Sequence, residues 1–195
     1  MIDPLPYATY AFVMSITPGP NNVMLTASGA RFGIRRTVPH LLGICAGFNA
    51  QLLAVCAGLA VLFSRWPALH TLLSWLGAAY LVFLGWQLLR SEARAAAAPA
   101  RPLRSHEAAL FQFLNPKAWV MSLTAATLFL PGTLAPALQG LYMVAVMVAV
   151  GLPCMAVWAF FGSALRRFLA GARARMLFNT SMAAALAVTA VLMVR

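Results

Sequence analysis

Long apolar stretches alternate with short polar connections along the whole chain. The apolar stretches cover residues 5–27, 38–63, 67–90, 107–130, 136–161 and 174–194. Each one exceeds the roughly 20 residues that an α-helix needs to cross a bilayer. The pattern therefore predicts an all-α integral membrane protein with six transmembrane helices, and it leaves no stretch for a separate soluble domain.

The first stretch contains residues that break a helix. It includes the sequence Thr-Pro-Gly-Pro-Asn-Asn at residues 17–22. Pro18 and Pro20 have no N–H group, so the carbonyls of Met14 and Ile16 lose their helical donors. An unpaired backbone group is costly in hydrocarbon unless protein or trapped water satisfies it. We therefore expect the break to line a cavity and not to face lipid.

A new half-helix is predicted to start directly after this break. Gly19 can adopt the backbone angles of a break, and Pro20 suits the first position of a helix. The N–H groups of Asn21, Asn22 and Val23 are then expected to be free donors at the positive end of the helix dipole.

The fourth stretch has a corresponding interruption. Asn115, Pro116 and Lys117 fit the N-cap and the first two positions of a second half-helix. The carbonyl of Gln112 is expected to remain free, because Pro116 offers no N–H. Lys117, the single lysine of the chain, lies either within the membrane beside this break or at the cytoplasmic interface.

Paired breaks in the two halves of a transporter are the best sequence indication of a binding site near the bilayer midplane. We therefore predict a site for a carboxylate between the two half-helix starts, formed by Pro18, Gly19, Pro20, Asn21, Asn22, Asn115, Pro116 and Lys117. The alternative is a pair of proline kinks that neighbouring helices tolerate.

The cations are distributed unevenly between the connections. The first, third and fifth connections carry eleven cations, and the second and fourth carry one. The positive-inside rule then places the odd connections in the cytoplasm and both termini in the periplasm. Halves of about 1–90 and 107–195, joined by the cytoplasmic loop 91–106, would have opposite orientations. This arrangement predicts a single membrane domain, residues 1–195, built as a pseudo-symmetric inverted 3+3 repeat.

Other functional classes find little support in the composition. The net charge is +11, but no basic face alternates with stacking aromatic residues as nucleic-acid binding would require. His106-Glu107 begins like a zinc-protease motif, but Leu110 replaces the second histidine ligand. Three scattered cysteines offer no metal-binding spacing. We therefore expect no enzyme activity, no cofactor, no metal site and no nucleic-acid partner.

Few groups in the spans can exchange a proton. Histidine titrates near neutral pH without help from its surroundings, and His40 stands at the start of the second stretch. Glu107 starts the fourth stretch and would need burial to raise its pKa. We predict that His40 or Glu107 couples protons; for Glu107 the alternative is a first-turn acid that stabilises its helix dipole.

Some further residues have two interpretations each. The Gly43 to Gly47 spacing permits close helix packing, which we expect within the chain, with a homodimer as the alternative. Several amides either line a cavity or form ordinary interhelical hydrogen bonds: Asn49, Gln51, Gln87 and Asn179.

The chain resembles the LysE/RhtB family of bacterial amino-acid exporters. The resemblance covers nearly the whole chain and rests on three motifs: Ile16-Thr-Pro-Gly-Pro-Asn-Asn22, Gly77-Ala-Ala-Tyr-Leu81 with Leu84-Gly-Trp-Gln-Leu88, and Phe113-Leu-Asn-Pro-Lys-Ala118. It implies an inner-membrane exporter of amino acids that is driven by the proton gradient. The alternative function is a non-transporting membrane scaffold or a channel.

One departure from the family pattern bears on the substrate. Phe48 follows Gly47 where many members carry an acidic residue, and Gln51 stands where a histidine is expected. The chain is similar here to the branch that exports cysteine and O-acetylserine. The resemblance therefore implies small neutral amino acids more than lysine or arginine.

Overall fold

The computed structural model describes residues 3–59, 65–90 and 101–193, and within these ranges it is entirely helical. The α-helices are α1 (Leu5–Ile16), α2 (Pro20–Phe32), α3 (Ile34–Ala54), α4 (Pro67–Arg90), α5 (Ser105–Gln112), α6 (Pro116–Phe129), α7 (Pro136–Leu165) and α8 (Ala172–Met193). The all-α prediction is confirmed for the described residues. Residues 91–100, which form most of the predicted linker between the halves, lie outside them.

Among the described residues, three helical segments are long and apolar enough to cross a membrane: Ile34–Gly58, Pro136–Leu165 and Ala172–Leu192. Shorter apolar helices cover Leu5–Ile16 and Thr71–Gln87. Together they indicate a helical membrane protein.

The predicted breaks occur where expected. The first stretch forms α1 and α2, and the fourth forms α5 and α6. The predicted end of the first span at residue 27 was too early, because α2 continues to Phe32. It ends there because Gly33 adopts a φ of +80°, which favours glycine and allows the chain to turn into α3. The α3 helix consequently starts four residues before the predicted residue 38.

Glycines bring two pairs of helices into close contact. A Cβ atom at Gly43 or Gly47 of α3 would overlap the backbone of Ser105 or Ala109 in α5. The prediction that this stripe packs within the chain is confirmed, so a homodimer would have to use another surface. Gly162 of α7 packs in the same way against α2.

The last helix of the first half of the sequence also packs on the last helix of the second half. The α4 helix lies against α8, while α1 packs on α7 and α5 packs on α3. Buried residues from α1, α3, α6 and α7 form an apolar cluster around the two breaks. The core therefore holds the broken helices at the centre of the molecule.

Candidate functional site

Side chains satisfy the carbonyls that the first break leaves open. The Thr17 hydroxyl donates to the Met14 carbonyl at 3.1 Å, and the Trp158 indole N–H donates to the Ile16 carbonyl at 3.1 Å. The carboxamide of Asn22 donates to the carbonyls of Ser15 and Thr17, both at 2.8 Å. Such bonds offset the cost of an interrupted helix in hydrocarbon.

Asn22 therefore braces the break with its side chain. The residue is only 4% exposed, and its amide spans the gap between the end of α1 and the start of α2. Both hydrogen bonds that its side-chain amide donates are committed to this role.

One of the three expected free donors is occupied. The Val23 N–H donates to the Gly19 carbonyl at 3.0 Å, so that expectation was wrong. The extended backbone of Gly19 points its carbonyl along the first turn of α2. The N–H groups of Asn21 and Asn22 have no hydrogen-bond acceptor within the described ranges.

The second break has the predicted cap. Asn115 is the N-cap of α6, and its side-chain oxygen accepts from the Lys117 N–H at 3.1 Å. The prediction of a free Gln112 carbonyl was wrong, because the Asn115 N–H donates to this carbonyl at 3.1 Å. This bond spans three residues, as in a 3₁₀ turn, and it ends α5 without help from Pro116.

The side chain of Lys117 extends from α6 into the first break. Its ammonium donates to the carbonyl and hydroxyl of Thr17, both at 3.0 Å, and to the Pro18 carbonyl at 3.3 Å. These carbonyls form the negative end of the α1 dipole, where a cation is favourable. Lys117 thus connects the two breaks.

A pair of carboxamides forms a second connection between the breaks. Asn21 donates to the Gln112 side-chain oxygen at 2.8 Å, and Gln112 donates to the Asn21 side-chain oxygen at 3.2 Å. Gln112 is fully buried and also donates to the Ala108 carbonyl at 2.9 Å. The pair fixes the start of α2 to the end of α5.

The breaks enclose a small cavity, which we name the central cavity. Its volume is about 50 Å³, enough for a few water molecules. Six of the predicted site residues line it: Gly19, Pro20, Asn21, Asn22, Asn115 and Lys117. Pro18 and Pro116 do not line it but shape the two breaks beside it.

Sequence reasoning missed much of the wall of the central cavity. The missed residues are one with a hydroxyl group, Ser15, and five with sulfur-containing side chains: Met14, Cys45, Met121, Met147 and Met155. Asn49 also lines the central cavity, which was one of the two roles considered for it. The side-chain oxygen of Asn49 has no hydrogen-bond partner in the described part of the chain. The methionines look like ordinary core residues in a sequence, so no pattern marked them.

Both candidate proton-coupling residues lie elsewhere. His40 and Glu107 line a second cavity of about 480 Å³, together with Arg31, Arg101 and Gln87. We name it the lateral cavity.

The two candidates differ in their surroundings. Glu107 accepts two hydrogen bonds from the guanidinium of Arg101, at 2.5 and 2.7 Å, and one from the Arg104 N–H at 2.8 Å. The carboxylate raises the pKa of the Arg101 guanidinium above its ordinary value. His40 is 1% exposed, and neither ring nitrogen has a partner within the described residues.

Comparisons with known proteins identify the family of the chain. The family model described as LysE type translocator matches residues 12–195. The cysteine/O-acetylserine efflux protein of Escherichia coli (strain K12) is 34% identical over 162 residues, which cover 82% of each chain. The protein of the same description from Salmonella typhimurium (strain LT2) is 36% identical over 129 residues, which cover 65% of this chain and 66% of the relative. No solved structure gave a significant match.

Proposed function

Because the chain belongs to the LysE type translocator family, and is thus a membrane transport protein and not an enzyme, we propose that it exports a small neutral amino acid. Cysteine and O-acetylserine, which the relatives' descriptions name, are the substrates we favour. The membrane would be the bacterial inner membrane. The observation that carries the proposal is the central cavity, which lies where two broken helices meet and combines polar groups with an apolar wall.

The carboxylate of the substrate would bind at the two half-helix starts. The free N–H groups of Asn21 and Asn22 lie at the positive end of α2, and Asn115 caps the positive end of α6. Helix N-termini of this kind favour anions. The Lys117 ammonium supplies a full positive charge at the same place.

The opposite wall suits the rest of a small amino acid. The unpartnered side-chain oxygen of Asn49 and the hydroxyl of Ser15 can accept from the substrate ammonium. The thioethers of Met121, Met147 and Met155 provide a polarizable apolar surface. A short thiol or ester side chain fits this surface better than a charged one.

Transport would occur by alternating access, in which the central cavity opens first to one side of the membrane and then to the other. The volume of about 50 Å³ is too small for an amino acid, so the central cavity must widen to admit a substrate. Rocking of one half against the other around the central cavity provides the widening.

The six-span inverted repeat supports such rocking. A pseudo-twofold axis that relates the first half, about residues 1–90, to the second, 107–195, would exchange α1 with α5 and α3 with α7. The observed pairs, α1 with α7 and α5 with α3, are then equivalent. The pair of α4 and α8 maps onto itself. This agreement supports two related halves within one domain, although α2 packs on α7 far more extensively than its counterpart α6 packs on α3.

Counterflow in proteoliposomes tests the function. Vesicles loaded with unlabelled O-acetyl-L-serine are diluted into a trace of labelled O-acetyl-L-serine. We expect the label to accumulate transiently above its equilibrium level, because an alternating-access carrier exchanges substrate. A channel would let the label equilibrate without an overshoot, and a scaffold would admit none; either result would reject the proposal.

The topology forms a separate prediction. We expect both termini in the periplasm, because the cation-rich connections should remain in the cytoplasm. A C-terminal alkaline phosphatase fusion should be active and a C-terminal green fluorescent protein fusion dark. The reverse pattern would contradict the orientation of the two halves.

We assign proton coupling to His40 in preference to Glu107, because Glu107 is already paired with Arg101. The His40→Gln variant should keep counterflow but lose export that is driven by an imposed pH gradient. The Glu107→Gln variant should respond to the gradient like the parent protein. The opposite result would assign coupling to Glu107, and a full response in both variants would exclude both residues.

A further inference from the structure

The lateral cavity has the character of a small-molecule binding site, and the proposed function uses only the His40 imidazole of its wall. It lies between α2, α3, α4, α5 and α8, and its volume is about 480 Å³. This is within the usual range for small-molecule sites, about 300–1,000 Å³. The site has one buried polar group without a partner, the imidazole of His40. Buried polar groups are normally hydrogen-bonded, so an occupant with polar atoms would complete it.

The charges around the cavity suit a carboxylate. Arg31 has no carboxylate partner in the described ranges, and its guanidinium stacks on Phe32, with 5.4 Å from its carbon to the ring centre. A guanidinium offers a planar fork that matches a carboxylate. Glu107 and Arg101 also line the cavity, but they form an ion pair with each other, so Arg31 is the cation left for a ligand.

Part of the wall of the lateral cavity is apolar. Tyr80, Phe83 and Leu84 of α4 line it together with Leu186 of α8. A molecule with a carboxylate at one end and a short uncharged side chain at the other would place each part against a matching surface.

The lateral cavity lies beside the central cavity. Along α3, His40 precedes the central-cavity residue Ile44 by one turn, or about 6 Å at 1.5 Å per residue. Along α2, Met24 follows Asn21 by about one turn. The lateral cavity is thus displaced toward the cation-rich connection between α2 and α3.

The Asn21–Gln112 carboxamide pair joins two helices that contribute to the lateral cavity. Asn21 lines the central cavity, and α2 continues from it to the lateral-cavity residue Met24, while Gln112 follows the lateral-cavity residue Glu107 on α5. The two hydrogen bonds of the pair hold α2 to α5.

We propose that the lateral cavity is a cytoplasmic loading site, which binds the amino acid with its carboxylate on Arg31 before the molecule passes the Asn21–Gln112 pair. The identity of the ligand rests on the proposed function, whereas the site itself rests on the cavity, the unpartnered imidazole and the unpaired guanidinium.

Histidine NMR tests this site directly. The full chain is labelled with ¹⁵N-histidine in lipid nanodiscs and titrated with O-acetyl-L-serine, and the His40 resonances are assigned by their loss in His40→Gln. We expect them to shift saturably in the parent protein and in Lys117→Met, which alters only the central cavity. In Arg31→Gln the affinity should fall about tenfold, as expected for a lost charge-assisted hydrogen bond.

Arg36→Gln is the matched control, because Arg36 is an exposed cation near Arg31 that does not line the cavity. It should bind like the parent protein. Equal weakening in the two arginine variants would show general surface electrostatics and would overturn the proposal. So would the absence of any His40 shift in the parent protein.

A lipid headgroup offers similar anionic chemistry, and the nanodisc composition separates it from the amino acid. The His40 resonances could shift when phosphatidylglycerol replaces phosphatidylcholine and then show no further shift with O-acetyl-L-serine. In that case the occupant is a lipid, and the loading site is rejected. Counterflow without a His40 response rejects the loading site and keeps export. A His40 response without counterflow rejects export and keeps the binding site.

Discussion

Replacing Lys117 with methionine should abolish export while the protein still inserts in the membrane. The ammonium is the full positive charge on the central cavity, and it bonds to the Thr17 and Pro18 carbonyls. A hydrogen bond to a charged group contributes about 1.5–3 kcal/mol. The loss of one such bond to the substrate carboxylate corresponds to about 10- to 150-fold weaker binding, measured as the concentration dependence of counterflow.

The same ammonium also caps α1, so a purely structural role must be separated from substrate binding. Thr17→Val removes the hydroxyl acceptor of Lys117 but keeps the charge. We expect it to lower the apparent melting temperature of the purified protein with less effect on substrate affinity. Lys117→Met should affect both. Substrate protects a carrier from heat, so loss of this protection in Lys117→Met alone marks the binding role.

Arg35→Met serves as the control for charge, because Arg35 is an exposed cation away from both cavities. It should retain counterflow and thermal protection by O-acetyl-L-serine. If Lys117→Met retained them as well, the carboxylate would not bind at Lys117, and the ammonium would serve only as the cap of α1.

The parts of this site that sequence predicts are those determined by local chemistry. Pro18 and Pro20 lack N–H groups wherever they occur, so the break of α1 from α2 follows from the residues alone. The cap of Asn115 on α6 is equally local, since donor and acceptor are two residues apart.

The remaining bonds of the first break depend on tertiary structure. Trp158 donates to the Ile16 carbonyl across 142 residues of sequence, and Lys117 donates to the Thr17 carbonyl across 100. No periodicity in the sequence indicates such partners. The sequence identified which carbonyls need a donor, but the fold determines which side chain supplies it.

Two wrong expectations concern backbone hydrogen bonds at the breaks. A free Gln112 carbonyl was expected because only the regular four-residue bond was considered, whereas the chain forms a three-residue turn there. A free Val23 N–H was expected although the regular four-residue bond pairs it with the carbonyl of Gly19, the N-cap of α2. Backbone at a break adopts the nearest geometry that pairs its polar groups.

Replacing Pro18 and Pro20 together with alanine should abolish export without preventing membrane insertion. Alanine is favoured over proline by about 3 kcal/mol in a helix interior, so each substitution favours one continuous helix across residues 5–32. In such a helix the Ser15 and Thr17 carbonyls would accept from backbone N–H groups. The Asn22 carboxamide and the Lys117 ammonium would lose the acceptors that now hold them, and the free N–H groups of Asn21 and Asn22 would be consumed.

The matched control is Pro153→Ala, because Pro153 is an exposed proline within the continuous helix α7. It removes a proline from a membrane helix without affecting either break. We expect this control to insert and to show counterflow like the parent protein, while the double variant inserts but shows none. Normal counterflow by the double variant would mean that the first break is only a packing kink, because a transporter that binds its substrate at the start of α2 cannot function once the donors there are paired within the helix.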